Sequence, residues 1–266
     1  MRFYDAHNHL QDDRFGGTAA ELLAASVRAG VARMVVNGSC EADWSAVRAL
    51  AVAHREVLPS FGIHPWYVGE RTDGWLEILR RQLGEGPAAV GEIGLDRWKP
   101  GLDYAGQEEV FVAQLRLAAE TNLPVSIHCL QAWGRLVELL REGPRPARGF
   151  LLHSYGGSVE LVAPLAKLGA YFSFPGYFAH ERKARQRETF RHVPPDRLLI
   201  ETDAPDQLLP EALNAYPLPD AKTGQPLNHP ANLAAVYRCV ADLVGEPAEV
   251  LAERVEENFL RLFGGL

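Results

Sequence analysis

The sequence contains few cysteines, no long apolar run and no excess of positive charge. Its three cysteines are too few and too irregularly spaced for a disulfide framework or a thiolate metal site. No stretch approaches the roughly eighteen uninterrupted apolar residues of a membrane span, and the first ten residues lack the cationic start and apolar run of a secretory leader. We therefore expect a cytoplasmic protein, and nothing in the sequence indicates a membrane or an obligate protein partner.

The charge balance restricts how the protein can bind nucleic acid. With 27 basic and 34 acidic residues, the net charge is −7. Proteins that hold duplex nucleic acid mainly by releasing counterions carry a basic face, so this balance argues against that class. Nucleic acid is still possible as a substrate, because bound divalent cations would bring a local positive charge of their own.

Short apolar runs alternate with amphipathic segments along the chain, which is the pattern of a parallel sheet wrapped by helices. Eight βα units in about 250 residues predict a (β/α)₈ TIM barrel, an α/β fold, as a single domain over residues 1–266. An open doubly wound sheet is the alternative, but no Gly-rich nucleotide loop follows the first strand. The predicted strands are Phe3–His7, Ala32–Val36, Val57–Ile63, Ala88–Ile93, Pro124–His128, Gly149–His153, Ala170–Phe174 and Arg197–Glu201.

Apolar residues three and four apart predict helices between these strands, such as Gln107–Thr121. Two extra C-terminal helices are predicted over Pro230–Val244 and Pro247–Phe263. The one long irregular stretch, from Asp206 to Leu227, contains four prolines and is predicted to be a lid or substrate loop.

Histidines and acids collect at the ends of the predicted strands. All C-terminal strand ends of a parallel barrel open onto one face, where active sites are built. His7 and His9, two apart on an extended chain, point to the same side and can reach one cation. The other residues of this kind are His64, Glu92 at the end of the fourth strand, His128, His153 and Asp203.

Metal-assisted hydrolysis is the reaction that this residue set indicates. A structural alternative exists for each group. The histidines could be buried and hydrogen-bonded to the backbone instead of to a metal, and Glu92 could form a salt bridge to Arg97 or Lys99. Glu201 is predicted to be a structural ion-pair partner. Four histidines and two carboxylates exceed the needs of one tetrahedral ion, and a carboxylate can bridge two ions. We predict that Glu92 bridges and that Asp203 binds metal and accepts the proton of the attacking water. The predicted ligands are His7, His9, Glu92, His128, His153 and Asp203.

Six ordered sequence blocks resemble the signature blocks of the TatD-type metal-dependent hydrolases. The blocks are Asp5-Ala6-His7-Asn8-His9-Leu10, Gly62-Ile63-His64-Pro65, Gly91-Glu92-Ile93-Gly94-Leu95-Asp96, Pro124-Val125-Ser126-Ile127-His128, His153-Ser154-Tyr155-Gly156-Gly157-Ser158 and Glu201-Thr202-Asp203-Ala204-Pro205. The resemblance implies a TIM barrel of the amidohydrolase superfamily with two divalent metal ions, one on His7, His9 and Asp203 and one on His128 and His153, with Glu92 between them. It also implies deoxyribonuclease activity, which is assigned to most members, with 3′ exonuclease action on DNA described for some. Imidazole and carboxylate together suit Zn, Mn, Ni or Fe, and Mg is also possible.

The periphery of the predicted site departs from the family pattern. The family commonly has an Arg and an acid shortly after the fifth-strand His, whereas this chain has the run His128-Cys129-Leu130-Gln131-Ala132. Trp66 stands in place of a second His, and Asp206 in place of an aromatic residue. Near residue 228 the chain has Leu227-Asn228-His229-Pro230 in place of an Arg-Asn-Glu-Pro block. Lost arginines remove fork-shaped phosphate donors.

Substrate contacts are predicted around the mouth. They are His64, Arg97, Trp98 and His229, and the aromatic residues Trp66, Trp98, Trp133 and Tyr177 are candidates for base stacking. The first functional hypothesis is a phosphodiesterase acting on DNA, single-stranded or at 3′ ends. The second is a hydrolase of a small-molecule amide, ester or lactone, which the missing arginines favour. A non-catalytic metal scaffold is least favoured, because the ligand set leaves coordination open for water.

Overall fold

Eight parallel strands form a TIM barrel in the computed structural model, which describes residues 1–266. Each strand pairs in parallel with the next one along the chain. The fold class predicted from the sequence is thereby confirmed. The strands are β1 (Phe3–Asn8), β2 (Val31–Asn37), β3 (Val57–Phe61), β4 (Ala89–Asp96), β5 (Val125–Leu130), β6 (Phe150–Leu152), β7 (Ala170–Pro175) and β8 (Leu198–Glu201).

Nine α-helices surround the barrel, and the predicted C-terminal helices follow β8. No helix has both the length and the apolar character needed to cross a membrane. The helices are α1 (Ala19–Arg28), α2 (Trp44–Ala53), α3 (Trp75–Gly84), α4 (Tyr104–Thr121), α5 (Trp133–Glu142), α6 (Val159–Lys167), α7 (Ala184–Phe190), α8 (Leu233–Val244) and α9 (Ala248–Phe263).

Helix α4 shows why observed and predicted boundaries differ by a few residues. Its apolar face begins to repeat at Val110 and Phe111, which are buried against the barrel. Its first turn is fixed instead by Asp103, whose carboxylate accepts a hydrogen bond from the Gly106 amide at 2.9 Å. It ends at Asn122, which adopts the left-handed conformation with φ 51°. The helix therefore starts three residues before the predicted start.

Strand β4 is longer than predicted, and this changes the position of Glu92. The prediction ended the strand at Ile93, whereas the pairing with β5 continues to Asp96. Gly94 permits the continuation, because a Cβ at this position would collide with the His128 carbonyl. Glu92 consequently lies inside the strand and not at its end, which corrects the sequence-based prediction.

The ring closes where β8 meets β1. The Asp203 amide donates to the His7 carbonyl at 2.9 Å, and the His9 amide donates to the Ala204 carbonyl at 2.8 Å. Asp203 adopts a left-handed backbone conformation, φ 51°, which Asp tolerates better than most residues. These bonds hold the Asp203 carboxylate beside the two histidines of β1.

A buried carboxylate strengthens the same junction. Asp5 is fully buried and accepts hydrogen bonds from the Thr202 amide at 2.9 Å, the Thr202 hydroxyl at 2.6 Å and the Asn8 side chain at 3.1 Å. Burial raises the pKa of Asp5 to about 7, against the effect of these donors. The donors join the end of β1 to the segment that carries Asp203, so they fix the relative position of the two parts of the site.

The predicted lid, Asp206 to Leu227, is mostly irregular. It contains a 3₁₀ turn at Glu211–Leu213 and a short hairpin of strands β9 (Leu218–Pro219) and β10 (Pro226–Leu227). Asp206 and Gln207, at its start, line the cavity at the barrel mouth.

Candidate metal centre

The six side chains predicted as metal ligands meet at the mouth of the barrel. Alternation along the strands and the closure between β8 and β1 direct their nitrogen and oxygen atoms to one point. Together with His64, they form three overlapping groups of three, in each of which the ligand atoms lie within 4.8 Å of one another: His7, His153 and Asp203; His7, His9 and Glu92; and His64, Glu92 and His128. The side chains brought together in this way are His7, His9, Glu92, His128, His153 and Asp203.

His7 and His9 form a first group of donor atoms. Their Nε2 atoms are 3.2 Å apart. Glu92 Oε2 lies 3.4 Å from His7 Nε2 and 3.2 Å from His9 Nε2. Asp203 Oδ1 lies 3.6 and 3.7 Å from the same two nitrogens. Two nitrogens and two carboxylate oxygens thus surround one small volume.

His128 and His153 form a second group on the other side of Glu92. His128 Nδ1 is 3.3 Å from His153 Nε2. Glu92 Oε1 lies 3.1 Å from the former and 2.8 Å from the latter. The two oxygens of one carboxylate therefore face two different histidine pairs, which is the arrangement expected of a bridging ligand.

The outer nitrogens of His9 and His128 face hydrogen-bond acceptors. His9 Nδ1 donates to the Asn37 carbonyl at 2.8 Å, and His128 Nε2 donates to Asp96 Oδ2 at 3.0 Å. A neutral imidazole has one proton, so each ring presents a lone pair on the nitrogen that faces the centre. Metal-binding histidines are usually held in this way by a carbonyl or carboxylate.

The outer nitrogens of His7 and His153 also face oxygens. His7 Nδ1 is 2.8 Å from the Ser126 hydroxyl. His153 Nδ1 has no hydrogen-bond partner, and its nearest carboxylate oxygen, Glu201 Oε1, is 3.8 Å away. Glu201 Oε1 accepts from the Ser154 amide and hydroxyl, each at 2.7 Å, so it is anchored beside the ring.

The donor atoms fit divalent cations. Inward lone pairs 3.2 and 3.3 Å apart repel one another, whereas two nitrogens bound to one tetrahedral ion at about 2.0–2.1 Å lie about 3.3 Å apart. Glu92 is 2% exposed, and its Oε1 lies 2.8 and 3.1 Å from imidazole nitrogens without forming a hydrogen bond to either. A buried carboxylate oxygen that lacks a hydrogen bond is costly, and a cation between the oxygen and these nitrogens would remove that cost.

Without an ion, the electrostatics of the centre differ from ring to ring. Burial lowers the pKa of His9, His128 and His153, but nearby carboxylates, above all Glu92, outweigh it and raise the pKa of His9 to about 9 and those of His128 and His153 above the ordinary value, so a cation would have to displace a proton from these three rings. Burial lowers the pKa of His7 to about 4, so its ring is neutral and available as a ligand. Burial raises the pKa of Asp203 to about 8, although His153 and His9 act in the opposite direction. Ionised Asp203 therefore requires additional positive charge at neutral pH, which a bound divalent cation would supply.

His64, predicted as a substrate contact, differs from the four other histidines. Its Nδ1 accepts a hydrogen bond from the Trp66 amide at 3.1 Å. The neutral ring must then carry its proton on Nε2, which lies 3.5 Å from Glu92 Oε1. Burial holds the pKa of His64 well below its ordinary value. His64 thus directs an N–H donor, and not a lone pair, toward the centre.

A cavity of about 660 Å³ opens above the centre. Its wall includes His64 and Trp98 from the predicted substrate contacts, and all four aromatic residues predicted as stacking candidates. Trp98 is 60% exposed. Trp66 is covered on its face by the Lys99 ammonium, 4.3 Å from the ring centroid.

Arg97 and His229, the other two predicted contacts, are not part of the cavity wall. The Arg97 guanidinium pairs with Glu108 at 3.2 Å and lies over the Tyr104 ring. His229 is 8% exposed, and its Nδ1 accepts from the Ala231 amide at 2.9 Å. The ion pair with Glu108 directs Arg97 away from the cavity, and the hydrogen bond within its own loop directs His229 away from it.

Asp96 is a residue of the site that sequence reasoning did not single out. Besides His128 Nε2, its carboxylate accepts from the Trp66 indole at 2.7 Å and from the Trp98 amide at 2.7 Å. Asp96 is four residues after Glu92, so strand alternation places it on the same face. The signal was lost because the predicted strand ended at Ile93.

Comparisons with known proteins agree with the geometry. The family model "TatD related DNase" matches residues 4–264. The "Uncharacterized metal-dependent hydrolase YjjV" of Escherichia coli is 31% identical over 265 residues, 98% of this chain and 98% of that protein. The "3'-5' ssDNA/RNA exonuclease TatD" of Pantoea ananatis is 31% identical over 264 residues, 98% of this chain and 99% of that protein. The crystal structure of the TatD homologue YjjV from E. coli has a TM-score of 0.89 and 29% identity, and the match covers 100% of this chain and 99% of that one.

Proposed function

The chain belongs to the TatD-related DNase family, and we propose that it is a metal-dependent hydrolase that cleaves phosphodiester bonds at the 3′ end of single-stranded DNA. The observation that carries the proposal is the position of Glu92, whose two oxygens face separate histidine pairs below an open cavity. A structural ion is normally enclosed by four protein ligands, whereas this centre borders a cavity that admits substrate.

Two divalent cations are proposed for the centre. His7, His9 and Asp203 would hold one, His128 and His153 the other, and Glu92 would contact both. When bound, such a pair of cations makes water a stronger nucleophile and stabilises negative charge on the attacking and leaving oxygens. The donor set of imidazole and carboxylate suits Zn, Mn, Ni or Fe, with Mg also possible.

Two side chains of the centre have further roles in the proposed reaction. Asp203 lies on the cavity wall, and its carboxylate accepts the proton of the attacking water. His64 directs its Nε2–H into the same space and donates a hydrogen bond to a phosphoryl oxygen as charge develops there. Their positions before the reaction are set by the backbone, through the amides of Asp203 and Trp66.

The shape of the cavity supports the end of a single strand as substrate. Its volume of about 660 Å³ is that of a pocket for one small ligand, and not that of a groove for a duplex. The exposed ring of Trp98 at the rim offers a face on which a base can stack. The name of the Pantoea relative, a 3'-5' ssDNA/RNA exonuclease, supports the same choice.

Hydrolysis of a small-molecule ester or amide is the second candidate. It is favoured by the absence of Arg97 from the cavity wall and by the pairing of Arg14, which lies on the wall, with Asp12 and Asp206. Few free cations are then available for a phosphate backbone.

The proposed function can be tested with purified protein that is treated with chelator and reloaded with Mn²⁺, Zn²⁺ or Mg²⁺. We expect shortening of 5′-labelled single-stranded DNA from its 3′ end, lost in His128→Ala and Asp203→Asn and retained in the surface variant Lys167→Ala. Cleavage of RNA of the same sequence shows whether the protein distinguishes ribose from deoxyribose. Cleavage of small esters or amides with no action on DNA or RNA would establish the second candidate instead.

A further inference from the structure

Two cationic side chains, those of Arg14 and Lys183, line the cavity above the metal centre. Arg14 donates to Asp12 at 2.9 and 3.0 Å and to Asp206 at 2.7 and 2.9 Å. Its charge is therefore neutralised by two carboxylates. Lys183 forms no ion pair with any carboxylate, so it is the one uncompensated Lys or Arg on the cavity wall.

Aromatic rings hold Lys183 in place. Its Nζ lies 4.7 Å from the centroid of the Tyr177 ring and 5.9 Å from that of Phe178. Arg182 fixes the same Tyr177, because its guanidinium lies 5.1 Å from the ring and donates to the hydroxyl at 2.8 Å. A cation over a ring face is attracted by the ring but keeps its N–H donors available. Tyr177 thus positions ammonium charge and is not a free platform for a base.

The surface next to Lys183 continues away from the metal centre. A second cavity of about 260 Å³ shares Trp133, Gly156 and Gln186 with the first, and Arg185 lines it. A strand whose end lies at the metal centre would have a path along this surface.

We propose that Lys183 binds a phosphate group of the substrate strand other than the one that is hydrolysed. The proposal rests on the proposed function, because it requires a substrate with more than one phosphate. An ammonium recognises phosphate as a point charge and does not read the base, so the contact is independent of sequence. Lys183 thus offers an anion an unpaired cation, which Arg97 and Arg14 do not, because both arginines are paired with acids.

Two substrates separate this contact from the metal centre. One is a single-stranded oligonucleotide of about ten nucleotides, and the other is bis(p-nitrophenyl) phosphate, which has a single phosphate. For Lys183→Ala, KM for the oligonucleotide should rise about fourfold at about 0.15 M salt, and the slope of log KM against log salt should fall by about 0.7, the value for one phosphate contact on a single strand. The kcat for both substrates and the KM for the small diester should stay unchanged.

The matched controls are Lys183→Arg, which keeps the charge and should keep the wild-type salt slope, and Lys167→Ala, which removes a lysine at the opposite end of the barrel. An unchanged salt slope in Lys183→Ala, or an equal rise in KM for the small diester, would overturn the proposal for Lys183 and leave the proposed function intact. A wild-type protein that hydrolyses neither phosphodiester overturns both.

Discussion

Different interactions position the side chains on the floor of the cavity, where the candidate metal centre lies, and those on its rim. The floor consists of five imidazoles and two carboxylates, all fully or largely buried, and several of them are oriented by a backbone group or a neighbouring side chain: His7, His9, His64, His128, His153, Glu92 and Asp203. On the rim, side chains come from loops, and their directions depend on which partner each one finds. Arg14 and Arg97 pair with acids, whereas Lys183 and Trp98 remain available. In the proposed function, the floor carries out the reaction and the rim selects the molecules that undergo it.

Glu92→Gln tests the floor and should have the largest effect. The change removes the charge that faces both histidine pairs, so we expect retention of at most one ion and a loss of kcat/KM of about a thousandfold, since metal catalysis supplies several kcal/mol. Metal content after dialysis and kcat/KM are the measurements, with the exposed Glu77→Gln as control. Two retained ions with near-normal activity would contradict the bridging role.

His64→Gln tests whether all five histidines of the floor act alike. Because His64 offers a proton where the others offer lone pairs, we expect a fall in kcat of about a hundredfold, the value for one lost oxyanion donor, with metal content unchanged. His192→Gln, on the surface, is the control. Loss of an ion together with activity would show that His64 is a ligand.

Asp96→Asn tests the connection between floor and rim, because Asp96 contacts both His128 and Trp66. We expect metal affinity to fall about tenfold to a hundredfold, as for other carboxylates that support a ligating histidine. Competition with a chromophoric chelator measures it, and Asp73→Asn is the exposed control. Unchanged affinity would mean that His128 is oriented without Asp96.

Trp98→Ala tests the rim and should have the smallest effect. Loss of one stacked base corresponds to about 1–3 kcal/mol, and since the ring is largely exposed we expect the lower part of that range, about fivefold to tenfold in KM for an oligonucleotide. The KM for bis(p-nitrophenyl) phosphate should not change. Arg97→Ala, at the preceding position, is the matched control and should leave both KM values near wild type. An equal rise in KM for Trp98→Ala and Arg97→Ala would contradict the inference that Trp98 is available to the substrate and Arg97 is not.

The floor was predictable from the sequence because strand alternation and strand ends determine it. His7 and His9 share a face by spacing alone. His128, His153 and Asp203 come at the ends of apolar runs that predict strands, and Glu92 lies within such a run. The predicted strands differed from the observed ones by a few residues, which was harmless except in β4. There the pairing past Gly94 depends on close approach to β5, which periodicity does not reveal, and Asp96 was overlooked for that reason.

The rim was less predictable because loop geometry and charge pairing decide it. Arg97 follows a strand that ends at the mouth, yet Glu108 on α4 holds it outside the cavity. His229 lies on a loop near the site, yet it packs inward with its own backbone. Lys183 had no distinguishing pattern in the sequence, and its position at the cavity depends on contacts with the rings of Tyr177 and Phe178.

Anomalous diffraction from a crystal of the metal-loaded protein would locate the ions. We expect two peaks, one beside the Nε2 atoms of His7 and His9 and one between His128 Nδ1 and His153 Nε2, with an oxygen of Glu92 next to each. A single peak, or imidazole nitrogens turned away from the centre in fully loaded protein, would contradict this expectation.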